Sequence, residues 1–126
     1  MTNVLDASAV LAFVYAEAGH QVVEPLLDGG RISAANWSEV MQKIAHHGGD
    51  PIRQATFLIA LGLVVEPLTQ ADAVMAARLY PVVRAAGLSL GDRCCLALAY
   101  RLGAPAITAD KAWAELDLDV AVRLIR

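Results

Sequence analysis

The sequence predicts an α/β fold, a mostly parallel sheet covered by helices on both faces, and three observations carry that prediction. Short apolar segments of strand type alternate with segments of helical periodicity in the order β-α-α-β-α-α-β-α-α-β-α-β. The 126 residues suit one domain, 1–126, large enough to bury roughly two-thirds of its unfolded surface. The apolar pattern runs from Val4 to Ile125 with no repeat, low-complexity tract or linker to divide it.

Each element has its own signal. Val4-Leu5 is an apolar strand, and after Asp6-Ala7 the hydroxyl of Ser8 is placed to cap a helix carrying Val10, Leu11, Val14 and Tyr15. Gly19 ends that helix, a short second one over His20 to Leu27 must bend at Pro25, and Asp28-Gly29-Gly30 turns into a strand over Arg31 to Ala34. Asn36-Trp37-Ser38-Glu39 has capping-box spacing and opens a helix that His46-His47-Gly48-Gly49 closes. Asp50-Pro51 starts the next, with Ile52, Ala55, Leu58, Ile59 and Leu61 as its buried face before Gly62. Leu63 to Pro67 reads as a strand. Thr69 caps a helix that Pro81 must kink or restart and Gly87 terminates. Ser89-Leu90-Gly91-Asp92 opens a helix to Leu102 that is apolar on nearly every side and therefore central. Ala106-Ile107-Thr108 is a short strand, Asp110 opens a brief helix to Leu116, and Val120 to Ile125 is the last strand.

Composition narrows the class. Counted with Gly and without Tyr, the apolar share is about 62%, against ~45–50% in ordinary domains, which excludes disorder. The longest apolar stretch, Ala55 to Val65, falls far short of a bilayer span, and the run from Val4 contains Asp6 with no basic residue before it, a poor leader. A soluble, cytoplasmic protein with no membrane partner is expected. Cys94 and Cys95 are adjacent, so they offer no disulfide framework or zinc-site spacing and read as small core residues. Ten Lys and Arg against thirteen Asp and Glu give a net charge of −3, which argues against nucleic-acid binding by bulk charge. If four of those acids hold metal, nine remain and the balance becomes +1.

Those four are Asp6, Glu39, Asp92 and Asp110. Asp6 and Asp110 follow strands, while Glu39 and Asp92 sit in first turns of helices, so a parallel sheet would gather all four at the edge where open α/β folds place their ligand crevice. Like charges so gathered raise one another's pKa and stay ionised only beside a cation. An all-oxygen set suits Mg²⁺ or Mn²⁺ better than zinc, with the Ser8 and Thr108 hydroxyls as further ligands or water-orienting groups. Each acid also has an ordinary job: Glu39 and Asp92 fit capping boxes with Asn36 and Ser89, and Asp110 is a good N-cap. Only their joint placement favours chemistry.

Other groups carry less. His20, His46 and His47 lack the spacing of a zinc helix and read as surface or helix-end residues, and there is no P-loop or nucleophile elbow. Arg93 and Lys111, each directly after a candidate acid, are placed to hold a phosphate backbone or simply to be solvated; Lys43 and Arg53 are weaker candidates. Trp37 and Trp113 lie near two of the acids, where a ring can stack on a base, although packing is their ordinary role.

Val4-Leu5-Asp6-Ala7-Ser8, Glu39 after Asn36-Trp37-Ser38, Leu88 to Arg93, and Thr108-Ala109-Asp110 before Trp113 together resemble a PIN-domain nuclease, and most closely the VapC-like toxin of bacterial toxin–antitoxin pairs. The resemblance spans nearly the whole chain. It implies a three-layer α/β/α sandwich around a five-stranded sheet, Mg²⁺- or Mn²⁺-dependent endoribonuclease activity on an RNA substrate, homodimerisation, and neutralisation by a cognate antitoxin. Asp6, Glu39, Asp92 and Asp110 become its catalytic and metal-binding quartet, with Ser8 and Thr108 in support and Asp117 as a candidate fifth acid. The rival readings are a non-catalytic dimeric binding module and an Asp-nucleophile phosphatase, and the latter is weakened by Ser8 standing where a second Asp is needed.

Overall fold

Residues 2–126 are described by a computed structural model. The elements are β1 (Val4–Leu5), α1 (Ala7–Val14), α2 (His20–Val23) running into a 3-10 turn at Glu24–Leu26, β2 (Arg31–Ser33), α3 (Ala34–His46), α4 (Pro51–Ala60), β3 (Val64–Glu66), α5 (Gln70–Val83) with a 3-10 turn at Arg84–Ala86, α6 (Leu90–Leu102), β4 (Ala106–Thr108), a 3-10 turn at Lys111–Glu115, and β5 (Val122–Leu124). The strand order is β3-β2-β1-β4-β5 and every pairing is parallel. The chain therefore walks from β1 to one edge, then returns past β1 to build the other half. With right-handed crossovers, that reversal sends the helices of the two halves to opposite faces.

Strand alternation divides the core accordingly. Leu5 and Ile107 face a cluster with Val10, Val40, Ile44 and Leu58, whereas Val4 and Ala106 face a second with Leu96, Leu98, Ala99 and Trp113. Three layers result, as expected. Helix α6 is buried at every residue from Cys94 to Ala99. Both cysteines are free, and burial pushes each thiol up, which leaves them unreactive packing groups. Buried Asp72 of α5 takes two hydrogen bonds from Arg101 of α6, at 2.9 and 3.1 Å, and pins the two helices together. No helix of the described residues is long and apolar enough to cross a membrane.

Several local expectations are corrected. The N-cap of α1 is Asp6, not Ser8: its Oδ1 accepts from the Ala9 amide at 2.8 Å. Helix α3 starts at Ala34, straight off β2 and capped by Ser33, so Asn36 and Glu39 lie inside the helix rather than in a capping box. Only Leu58 of α4 is buried; Ile52 is 79% exposed and Ile59 54%, because the helix meets the core along one edge. Pro81 does not break α5. It is exposed and near the C-terminal end, where the missing amide falls on the solvent side.

The end of α1 shows strain that a substitution can release. The Glu17 amide donates to Ala12 and that of Ala16 to Phe13, a Schellman closure that puts Ala16 at φ 51°, the left-handed position glycine usually takes. Ala16→Gly is expected to stabilise the fold by about 0.5–1 kcal/mol, the relief of the Cβ clash less the extra freedom of the unfolded chain. Urea denaturation of both proteins measures it; an unchanged or lower midpoint would contradict the strain.

Candidate functional site

The C-terminal ends of β1 and β4, the first turn of α6 and the middle of α3 enclose a cleft of about 290 Å³ lined by Asp6, Ser8, Glu39, Lys43, Asp92 and Asp110. All four acids named from sequence therefore face one space. Lys43, ranked low from sequence, lines it too, because it lies one helical turn beyond Glu39 on the same face of α3. Asp117 does not; it lines a separate hollow with Leu79, Leu96 and Tyr100. Arg93 is turned away, its Nη1 donating to the Ala76 carbonyl at 2.9 Å and its guanidinium lying over the Tyr80 ring. Trp113 is fully buried in the second core and cannot stack on a ligand.

Three of the acids are each held by one oxygen. Asp92 Oδ2 accepts from the Ser89 amide at 2.9 Å in a true capping box, and Asp110 Oδ1 accepts from the Ala112 amide at 3.0 Å. Glu39 Oε1 accepts from Asn36 Nδ2 at 2.7 Å. Among the described residues, Asp92 Oδ1, Asp110 Oδ2 and Glu39 Oε2 accept no hydrogen bond from protein. Capping and chemistry are therefore not rivals: a carboxylate that caps with one oxygen keeps the other free to take a ligand.

Asp6 differs. Its Oδ1 accepts from Ser8 at 2.7 Å and from the Ala9 amide, and its Oδ2 from Thr108 at 2.6 Å. Burial, opposed by those three hydrogen bonds and reinforced by the negative charge of Asp92, pushes its carboxyl up to about 6. Ser8 and Thr108 are themselves fixed, since the Ala109 amide donates to Ser8 Oγ at 2.9 Å and the Asp110 amide to Thr108 Oγ1 at 3.0 Å. The two hydroxyls thus stitch the end of β1 to the end of β4 under the acids.

Two residues that sequence reasoning missed position Glu39. Asn36 is fully buried, and its Nδ2 also donates to the Gly91 carbonyl at 3.0 Å, tying α3 to the first turn of α6. A methyl group built on Gly91 would stand 2.5 Å from Glu39 Oε1 and 2.7 Å from Oε2, so the carboxylate rests directly on the glycine. The i, i+3 spacing of Asn36 and Glu39 was visible, but it reads equally well as a cap.

The donor set is all oxygen, carboxylate with hydroxyl, and fits a hard divalent cation. The side chains are not drawn into a finished ligand cage, for among the described residues no three of His, Cys, Asp or Glu stand as close as bound ligands do.

A fully parallel, doubly wound sheet with acids at its C-terminal edge defines the class: an α/β domain with an acidic switch-point cleft. The chain belongs to the PIN domain family, whose model matches residues 4–118. Similar solved structures include a toxin–antitoxin complex from Klebsiella pneumoniae, with a TM-score of 0.77, 18% identity and 98% of each chain covered. A DNA-bound VapBC from Salmonella typhimurium gives 0.75 at 12% identity, covering 100% of this chain and 99% of that one. VapC20 of Mycobacterium tuberculosis, described as a sarcin–ricin loop cleaving toxin, gives 0.72 at 16%, covering 94% and 98%. At these identities the likeness is one of fold. A comparison with curated protein sequences gave no match.

Proposed function

We propose that the chain is a Mg²⁺- or Mn²⁺-dependent endoribonuclease, the toxin of a VapBC-like pair, acting in the cytoplasm and neutralised by a cognate antitoxin. The observation that carries the reading is the convergence of Asp6, Glu39, Asp92 and Asp110 on one cleft with three carboxylate oxygens left unbonded. Fold neighbours that are toxins or toxin–antitoxin complexes support it. Asp6, Asp92 and Asp110 would hold the ion, with Glu39 in reach of it. A divalent ion held there would supply counter-charge to the phosphodiester and lower the pKa of a water beside it. Ser8 and Thr108 hold the Asp6 carboxylate in place, and the capping amides of α6 and of the Lys111–Glu115 turn orient Asp92 and Asp110. Among the described residues no histidine lines this cleft, so the carboxylates are the groups available to accept a proton from an attacking water.

Exposed apolar side chains support a homodimer and an antitoxin contact: Ile52, Phe57 and Ile59 on α4, and Val74, Tyr80 and Val82 on α5. The test is direct. The purified chain, free of any partner, is incubated with a structured RNA and with a small phosphate ester, in Mg²⁺ and in EDTA. RNA cleavage in Mg²⁺ alone is expected. Hydrolysis of the ester only would favour a phosphatase, and no hydrolysis of either would favour a binding module.

A further inference from the structure

The cleft does not end at the carboxylates. Following α1 away from Asp6, a second hollow of about 180 Å³ shares Ser8, Leu11 and Lys43 with the acidic cleft and is closed at its far side by Tyr15, His47 and Arg126. Tyr15 and His47 are the C-caps of α1 and α3, so the hollow lies where those two helices end together. Their rings stand 5.4 Å apart at 32°, open to solvent, and His46 meets His47 edge-on at 5.7 Å. Arg126 Nη1 donates to the Ala18 carbonyl at 2.8 Å, which fixes its guanidinium at the rim.

We infer that this hollow is a subsite for the nucleotide next to the scissile one in a single RNA strand, its base against Tyr15 and His47 and its phosphate between Lys43 and Arg126. The inference rests on the nuclease reading above and names how that site takes its substrate. A polyanion approaching four carboxylates needs cations beside them, and Lys43 and Arg126 outnumber the one acid of the hollow, Glu17. Both rings are exposed, Tyr15 at 40%, and an exposed ring offers a face that any base can use. From Ser8 to Tyr15 is about 10 Å of helix, a span that adjoining nucleotides bridge. The lining suits RNA better than an apolar peptide, because Leu11 is its one aliphatic side chain and the rest are the two rings with polar or charged groups.

The experiment uses a fluorescein-labelled single-stranded RNA octamer. In an Asp6→Asn background, used to bind without turnover, Tyr15→Ala is expected to weaken octamer binding by about 5- to 150-fold, the worth of one stacked base. Tyr15→Phe should restore it. Arg126→Ala should reduce the slope of log K against log salt by about 0.7, one phosphate contact on a single strand. In the otherwise wild-type chain, Tyr15→Ala and Arg126→Ala should raise KM for the octamer while kcat/KM for a dinucleoside monophosphate, too short to fill both sites, stays within about twofold. Unchanged octamer affinity and salt slope would overturn the subsite and assign the hollow to another occupant such as a protein segment. An equal loss on octamer and dinucleotide would overturn it as well, since that marks general damage. If the wild-type chain cleaves neither, the nuclease reading falls and takes the subsite with it. Normal wild-type cleavage with indifferent variants removes the subsite alone.

Discussion

Asp6→Asn is expected to abolish RNA cleavage and, in the absence of divalent metal, to make the protein more stable at neutral pH. The second effect follows from the surroundings of the carboxyl. Asp6 is buried, and its carboxyl is pushed up to about 6 from 3.8. An acid with a raised pKa in the folded state stabilises the fold fully below its unfolded value and loses that contribution as pH rises through the folded one. Between about pH 4 and 6 the native chain holds a proton that the unfolded chain has released, so stability falls as pH rises. The span of about two units corresponds to roughly 3 kcal/mol at most. Asn keeps the shape without the charge: Oδ1 can accept from Ser8 and Ala9, and the amide can donate to Thr108. We expect the variant to be about 1–3 kcal/mol more stable than the wild type in EDTA at pH 7.5, with the gap closing toward pH 4. Adding Mg²⁺ should raise the melting temperature of the wild type, by about 2.7 kcal/mol of linkage at a hundred times Kd, and barely move the variant. Urea and thermal melts across pH, with and without Mg²⁺, measure all of this. A variant that cleaves at the wild-type rate would show that Asp6 is no part of the metal site, and one less stable than wild type in EDTA at pH 7.5 would show that its buried charge costs the fold nothing.

What sequence reveals of this protein follows the locality of each signal. Capping chemistry is local, so Thr69, Ser89 and Asp110 are legible as helix starts and the structure puts them there. Asp6 and Ser8 are both competent caps two residues apart, and which of them acts depends on where β1 releases the chain, which its pairing with β2 and β4 decides. Glu39 shows the same limit in reverse. Its spacing from Asn36 suggests a cap, yet α3 has already begun at Ala34 because Ser33 leaves the sheet pointing into the helix. The acid is found by a local argument, while the reason it faces the cleft, contact with Gly91 across fifty residues of chain, is not local at all. Arg93 fails as a phosphate ligand for a comparable reason: the α5 backbone and Tyr80 claim its guanidinium. The apolar face of α4 is real in sequence, but periodicity says only that a helix has such a face, not that this chain alone covers it.

Gly91→Ala is expected to separate the site from the fold more cleanly than any other change. In the first turn of α6 alanine is the better helix former, and Gly91 is not among the residues of positive φ, so backbone preference alone favours the substitution by roughly 0.5–1 kcal/mol. The new methyl, however, would stand 2.5 to 2.7 Å from the carboxylate of Glu39. That neighbour is the mobile end of a side chain, so the conflict is resolved by Glu39 swinging off its seat rather than by helices parting. Its hydrogen bond from Asn36 at 2.7 Å is then lost or bent. Displacement of a supporting group around a metal commonly costs 10- to 100-fold in affinity or rate, and a loss of about that size is expected in RNA cleavage and in Mn²⁺ binding by calorimetry. Thermal stability in EDTA should stay level or rise. Asn36→Ala forms the contrast, since it removes the hydrogen bond that links α3 to α6 and the one that holds Glu39, leaves the Gly91 carbonyl without that donor, and should destabilise the fold by about 1–3 kcal/mol as well as slow cleavage. Wild-type cleavage and wild-type Mn²⁺ affinity in Gly91→Ala would show that the seat of Glu39 against Gly91 of α6 does not matter to the site.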